Sequence, residues 1–368
     1  MRYTREDGCR AWLTYALAHA DIIANILEEF GSAEAVYDRF IQKGPAFLKE
    51  KLSDFSLEQL TEHSSKEMMH DMLVCMRKLN MGIMSIQDPL YPDSLRNLSS
   101  PPALLFYRGN PKCLMGKCIT VVGSRTSSQQ GAEATRKICR DFSKAGVCIV
   151  SGLAMGIDTA AHEGCLEGGS PTAAVLACGI DVDYPIENVE LKERIVQTGG
   201  VLLSEYPPGT RASRFVFQVR NRILSGLSRA VVMMEGQIQS GSMLTVQHAL
   251  DQGMDVYAYP GNPDTESAEG AHQLLREGAI FFTRAQDILE DFGWDDAISN
   301  HRPESNGVLP DLNDDQRSVF SLLCKGELSY DQLAEMSGLQ PAALSVALTM
   351  LQMQGLIKAM PGKIYCRV

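Results

Sequence analysis

No apolar run in the 368-residue chain approaches the roughly 18 residues that would span a bilayer, and charge enters at once through Arg2, Arg5, Glu6, Asp7 and Arg10. A cytoplasmic protein that makes no membrane contact is expected. The chain also lacks any CxxC pair, and no histidine stands at metal-ligand spacing from its ten scattered cysteines. These thiols are expected to be buried and reduced, with no metal site. The GxGxxG fingerprint of a dinucleotide fold is missing, so no cofactor is expected, and no internal repeat recurs at a fixed period. Positive charge is in short supply too. A net charge of −11 argues at first sight against nucleic acid, because phosphate binding needs a positive surface.

The deficit is local. Residues 236–309 carry 3 Lys+Arg against 12 Asp+Glu, whereas residues 110–235 carry 14 against 12 and form the one segment that is net basic.

Residues 1–78 have helical apolar spacing, with Gly31 placed to end one helix and Ser32 to cap the next. They are expected to form a small helical, SAM-like domain. A helix-hairpin-helix DNA-binding unit would want glycines where Ala18-His19-Ala20-Asp21 has none, so a scaffold is favoured. From Ile119 apolar runs at 119–122, 147–150, 172–177, 200–203, 230–234, 254–259 and 279–282 alternate with helix-length segments. That alternation predicts an α/β fold with a Rossmann-like, mostly parallel sheet over 79–292, whose ligands gather at the carboxyl ends of the strands. Residues 293–312 are polar and rich in turn formers, as a linker would be. Residues 313–368 offer three helical stretches and two short apolar runs around Pro361-Gly362, the layout of a winged-helix domain.

The loops after the strands carry the chemistry. Gly123-Ser124-Arg125 ends the first run, where one glycine allows close approach, a helix N-terminus offers N–H donors and Arg125 supplies a two-pronged grip. A phosphate suits that turn. "SGLAMGIDTAAHEGCL" opens a second helix with Gly152 and Gly156, and its His162 is expected to satisfy Asp158 four residues earlier rather than to act as a base. The densest basic stretch, 211–228, interleaves Arg211, Arg214, Arg220 and Arg222 with Phe215 and Phe217. Guanidinium groups for phosphates and rings for unstacked bases are what single-stranded nucleic acid needs. An amphipathic helix with its rings in the core and its arginines solvated fits the same pattern. Ser240-Gly241-Ser242 precedes a further helix, and three such turns on one edge could hold several phosphates in a row.

"YPDSLRNLSSPPALLFYRGN", "VVGSR", "SGLAMGIDTAAHEGCL", "SEYPPG", "FQVRNRILSGLS", "SGSMLT" and "YPGN", in this order, resemble the DprA/Smf family of DNA-processing proteins. The resemblance runs from about Leu90 to Phe282. It implies a protein without catalytic turnover that binds single-stranded DNA, displaces or works beside the single-strand binding protein and loads the RecA recombinase during natural transformation. It places DNA contacts at Gly123, Ser124, Arg125, Arg214, Phe217, Arg220, Asn221, Arg222, Ser240 and Gly241, and a homodimer interface near Leu275 and Phe281. Two positions depart from the family pattern: Gln218 stands where many relatives have proline, and Ile186 where they often have lysine.

Two other readings compete. Nucleotide phosphoribohydrolases share a related sheet, but their PGGxGTxxE motif laid on "SGSMLTVQH" puts His248 where the essential glutamate belongs. A winged-helix regulator of duplex DNA would want cations on its recognition helix, and "QPAALSVALTMLQMQGL" carries no Lys or Arg. A partner-binding or dimer-assisting role is favoured for that domain.

Overall fold

The computed structural model describes residues 3–16, 20–262, 265–294, 312–323, 328–353, 357–360 and 364–367. Its first helices are α1 (Arg5–Leu13), α2 (Ala20–Phe30), α3 (Ala33–Lys43), α4 (Asp54–Glu62) and α5 (Lys66–Lys78). Between α2 and α3, Gly31 takes a φ of 80°, and the Ser32 hydroxyl accepts the Ala35 N–H at 3.1 Å. A left-handed residue stops one helix and a side-chain cap starts the next. Trp12 centres this small core, edge-on to Tyr37 and Phe40 at 5.0 and 5.1 Å, and its indole N–H donates to the Leu60 carbonyl at 3.0 Å. The Tyr15 hydroxyl donates to the Pro208 carbonyl at 2.9 Å and so ties these helices to the sheet that follows.

That sheet has nine strands: β1 (Met81–Ser85), β2 (Leu104–Gly109), β3 (Cys118–Val122), β4 (Cys148–Ser151), β5 (Thr172–Val175), β6 (Val201–Ser204), β7 (Ala230–Met233), β8 (Asp255–Ala258) and β9 (Ile280–Phe281). Their order is β1-β2-β6-β5-β4-β3-β7-β8-β9. Strands from β6 to β9 in that order are parallel, while β2 runs antiparallel to β6 and β1 antiparallel to β2. Each of the seven apolar runs expected from Ile119 onward overlaps one parallel strand, with β3, β4 and β6 reaching one residue beyond the expected run. Alternation of strand and helix has no place for β1 and β2, which extend one edge as an antiparallel pair with β2 reversed against β6.

Around the sheet lie α6 (Asp93–Arg96), α7 (Gln129–Lys144), α8 (Ile157–Gly168), α9 (Val189–Gln197), α10 (Arg214–Gly226), α11 (Gly241–Asp251), α12 (Glu269–Arg276) and α13 (Ala285–Asp291). All five residues of β3 are buried, because helices cover both faces of a parallel sheet. Neighbouring residues therefore feed opposite cores. Ile149 packs with Ile119, Phe142 and Tyr257, whereas Val150 packs with Leu105, Leu203 and Ile223. From β3 the chain steps outward through β4, β5 and β6, then returns to lay β7 on the other side of β3. Strand order reverses there, and the crevice outside the carboxyl ends of β3 and β7 is where such a sheet binds.

The described residues from Leu312 onward form a separate compact unit. Helices Asp314–Leu323, Tyr330–Ser337 and Pro341–Met353 surround a core of Val319, Leu333, Leu344, Leu348 and Leu351. A small antiparallel sheet joins Leu328–Ser329, Ile364–Arg367 and Ile357–Met360, completing a winged-helix fold. Of the expected linker, residues 295–311 lie outside the described residues. Among the described residues no helix is long and apolar enough to cross a membrane, no cluster of side chains could hold a metal, and the cysteines from Cys9 to Cys178 are free thiols.

Candidate nucleic-acid interface

Beyond Val122 the chain turns through Gly123, where a side chain would strike Ile157 and the Glu235 carbonyl. The turn does hold an anion, but the chain supplies it. Glu235, 4% exposed at the end of β7, accepts the Ser128 N–H at 2.9 Å and the Ser128 hydroxyl at 2.7 Å. Ser128 is the N-cap of α7, so a carboxylate sits where the helix N-terminus would greet a phosphate. The Ser124 N–H is also taken, donating to the Glu235 carbonyl at 2.6 Å. What remains outward is the Arg125 side chain, which is exposed and has no carboxylate partner among the described residues.

The second turn is filled in the same manner. Asp158 accepts the N–H groups of Gly152 and Ala154 at 3.1 and 3.2 Å. Burial raises the Asp158 carboxyl above its ordinary range, against the lowering pull of the Arg220 guanidinium. His162 does not serve Asp158 as expected; its Nδ1 lies 2.8 Å from the Thr172 hydroxyl, and its Nε2 is buried without a partner. Asp158 turns into the β4–α8 loop to satisfy amides that the loop leaves open, while the imidazole faces the strands. Burial pulls the His162 imidazole down to about 3. Its unfolded form binds a proton below pH 6.5 and its folded form does not, so stability is full above that pH and is lost as pH falls toward about 3. Urea midpoints measured between pH 7 and pH 5 should show a slope of up to about 1.4 kcal/mol per pH unit, which His162→Gln flattens.

Five of the predicted residues lie on α10. Ser213 caps it by accepting the Val216 N–H at 3.4 Å, which leaves Arg214 exposed at the first position. Phe217 is half-buried, lies 5.8 Å from Tyr184, and has the Arg125 guanidinium 4.4 Å above its ring and that of Arg220 at 5.6 Å. Arg220 and Arg222 point inward instead. Arg220 is 4% exposed and donates to the carbonyls of Gly152 and Val175, and desolvation lowers its guanidinium to about 10. Arg222 grips the Glu205 carboxylate at 2.8 and 2.7 Å and the Ser100 carbonyl at 2.9 Å. Asn221 is buried and reaches the Gly241 carbonyl at 3.3 Å. These three residues brace the cleft wall, because a helix laid across the sheet must turn one side inward.

Ser240-Gly241-Ser242 is the turn that stays open. The Ser240 and Ser242 hydroxyls meet at 2.7 Å, no side chain caps α11, and the space beside Gly241 is empty. Gly123, Ser124, Arg125, Arg214, Phe217 and this turn border one open cleft of about 1140 Å³ at the β3–β7 switch point. Neither Leu275 nor Phe281 lines it, although Gln273 and Leu274 beside Leu275 on α12 do; Phe281, in the edge strand β9, is 60% exposed. Sequence reasoning missed Glu235 and Tyr184; an acid directly after a buried apolar strand was the available signal for the first.

A family model described as DNA recombination-mediator protein A matches residues 82–293, more than half of the chain. The chain belongs to the DprA/Smf family. A second model, the DprA winged helix domain, matches residues 303–363. DNA processing protein DprA of Streptococcus pneumoniae is 43% identical over 208 residues, covering 56% of this chain and 73% of that protein. Protein Smf of Synechocystis is 32% identical over 321 residues, 78% of this chain and 80% of the relative. The solved DprA of Streptococcus pneumoniae superposes with a TM-score of 0.63 at 32% identity, over 79% of this chain and 99% of that one. DNA processing protein A from Helicobacter pylori, whose structure was described for its single-stranded DNA binding mode, has a TM-score of 0.52 at 27% identity over 58% and 96% of the two chains. In this DprA/Smf chain the departure at Ile186 is a fully projecting apolar side chain, 69% exposed two residues beyond Tyr184.

Proposed function

We propose that this protein binds single-stranded DNA along the β3–β7 cleft as a clamp without catalytic turnover. The observation that carries the reading is Arg125, an exposed guanidinium with no carboxylate partner among the described residues, poised over Phe217 in the cleft that Arg214 borders. Phosphates pair with Arg125, Arg214 and the open turn at Ser240-Gly241, while a base displaces the guanidinium from the Phe217 ring. The single-strand binding mode of the Helicobacter pylori relative supports the same ligand class.

The test is titration of a labelled oligo-dT at several salt concentrations with wild type and Arg125→Ala. Loss of one phosphate contact is expected to flatten the slope of log K against log salt by about 0.7 and to lower affinity at every salt. Equal binding and equal slope in the two proteins would remove the strand from this turn. The phosphoribohydrolase alternative gains no support from His248, whose imidazole burial pulls below its ordinary range and which does not line the cleft.

The family's recombination-mediator description supports a finer role, delivery of the bound strand to RecA beside the single-strand binding protein during DNA uptake. Recombinase assembly on a coated strand, with and without this protein, tests it. A homodimer through Leu275 and Phe281 is proposed because β9 leaves an unpaired sheet edge with exposed Ile280 and Phe281; sedimentation equilibrium decides it. The winged-helix unit is assigned to a protein partner or the dimer. Its helix Pro341–Met353 exposes Ser345, Val346, Thr349 and Met350, none of which neutralises phosphate. Oligo-dT affinity that collapses when residues 303–368 are removed would refute that assignment.

A further inference from the structure

In a sheet of this kind the turn after the central strand is a ready anion seat, because unpaired N–H groups and the helix dipole converge on it. We propose that Glu235 is a built-in anion filling that seat, and that it positions Arg125 for the strand, the second half resting on the single-strand reading above.

Four features show a seat shaped for this carboxylate. Ser128 offers it both N–H and hydroxyl, and Ser267 adds a hydroxyl at 2.9 Å. Gly131, in the first turn of α7, has no side chain where one would collide with the Glu235 carboxylate, its Cδ lying 2.6 Å from the position of a Cβ. A glycine inside a helix costs stability, and here that cost makes room for the anion. Finally, the backbone carbonyl of the same glutamate accepts the Ser124 N–H. Segment 124–128 is therefore pinned at both ends to one residue, with Arg125 between the pins. The Ser124, Thr126 and Ser128 amides, which would otherwise help to cradle a phosphate, are taken by partners within the chain, and the turn presents a side chain instead.

Two consequences separate this role from plain structural support. Removing the carboxylate should uncover the seat, so that inorganic phosphate raises the melting midpoint of full-length Glu235→Ala in a dose-dependent way and by more than it raises that of wild type, whose cleft arginines bind phosphate in both proteins. The same variant should lose oligo-dT affinity about tenfold through a misplaced Arg125, with its salt slope reduced by about 0.7. Adding Arg125→Ala to Glu235→Ala should then cost nothing more, since both remove one contact. A phosphate response no larger than that of wild type overturns the seat, and additive losses in the double variant overturn the positioning role. Should Glu235→Ala fail to fold, Glu235→Gln keeps an acceptor for Ser128 without the charge. Its loss must again be non-additive with Arg125→Ala, and wild-type affinity in Glu235→Gln would refute the proposal. If wild type itself ignores oligo-dT, the single-strand reading and with it the positioning role fail, while the phosphate response of Glu235→Ala still decides the seat.

Discussion

Arg222→Ala is expected to lose about 3–5 kcal/mol of folding stability, whereas Arg214→Ala, eight residues earlier on the same helix, should change it by no more than about 0.5 kcal/mol. Both arginines belong to one basic stretch, and by composition they are equivalent. Their surroundings differ. The Arg222 side chain is 14% exposed and its Glu205 partner 16%, joined by a two-pronged ion pair. Deleting the guanidinium leaves a carboxylate deprived of both its partner and most of its water, which is the costly case. A shape-preserving double replacement, Arg222→Met with Glu205→Leu, should recover most of the loss, because neither charge is then stranded. Urea unfolding of the three variants provides the measurement. If Arg222→Ala is as stable as wild type and instead loses oligo-dT affinity, Arg222 faces the strand and the bracing role assigned to it is wrong.

Gly156→Ala should destabilise by roughly 2–5 kcal/mol, through left-handed backbone strain combined with overpacking. Gly156 has a φ of 79° and a ψ of −121°, a region that residues with a Cβ avoid. Its missing side chain would also collide with the Ser124 carbonyl and lie 2.7 Å from that of Arg125. These are backbone atoms and cannot swing aside. The Gly-Ser-Arg turn and the start of α8 are thus held in contact by a glycine, and the Ile157 N–H donates to the Ser124 carbonyl at 3.1 Å across it. Substitution should therefore disturb Arg125 from outside the cleft. Urea midpoints together with oligo-dT affinity test this, and a variant of wild-type stability would show that the two loops do not need their close approach.

Strand-helix alternation from Ile119 onward was legible because a parallel strand covered on both faces is nearly continuous in apolar residues, as in Cys118–Val122 and Cys148–Ser151, whose buried Thr120 and Ser151 hydroxyls donate to backbone carbonyls. Glycine-rich turns were legible for a similar reason, since close approach excludes a Cβ and only one residue type lacks it. The antiparallel β1 and β2 escaped, because their apolar runs do not take part in that alternation. Which charges are free escaped as well. Arg125, Arg214, Arg220 and Arg222 are alike in composition, yet two border the cleft and two are enclosed; for the three on α10 the distinction is set by which face the helix turns toward the sheet, and for Arg125 by the turn after β3. The anion in the first turn belongs with these. Glu235 and Ser128 are 107 residues apart, and only a fold that lays β7 beside β3 brings carboxylate and helix N-terminus together. Local pattern specifies elements, through periodicity and backbone freedom; the pairing of distant charges exists only once the strand order has been chosen.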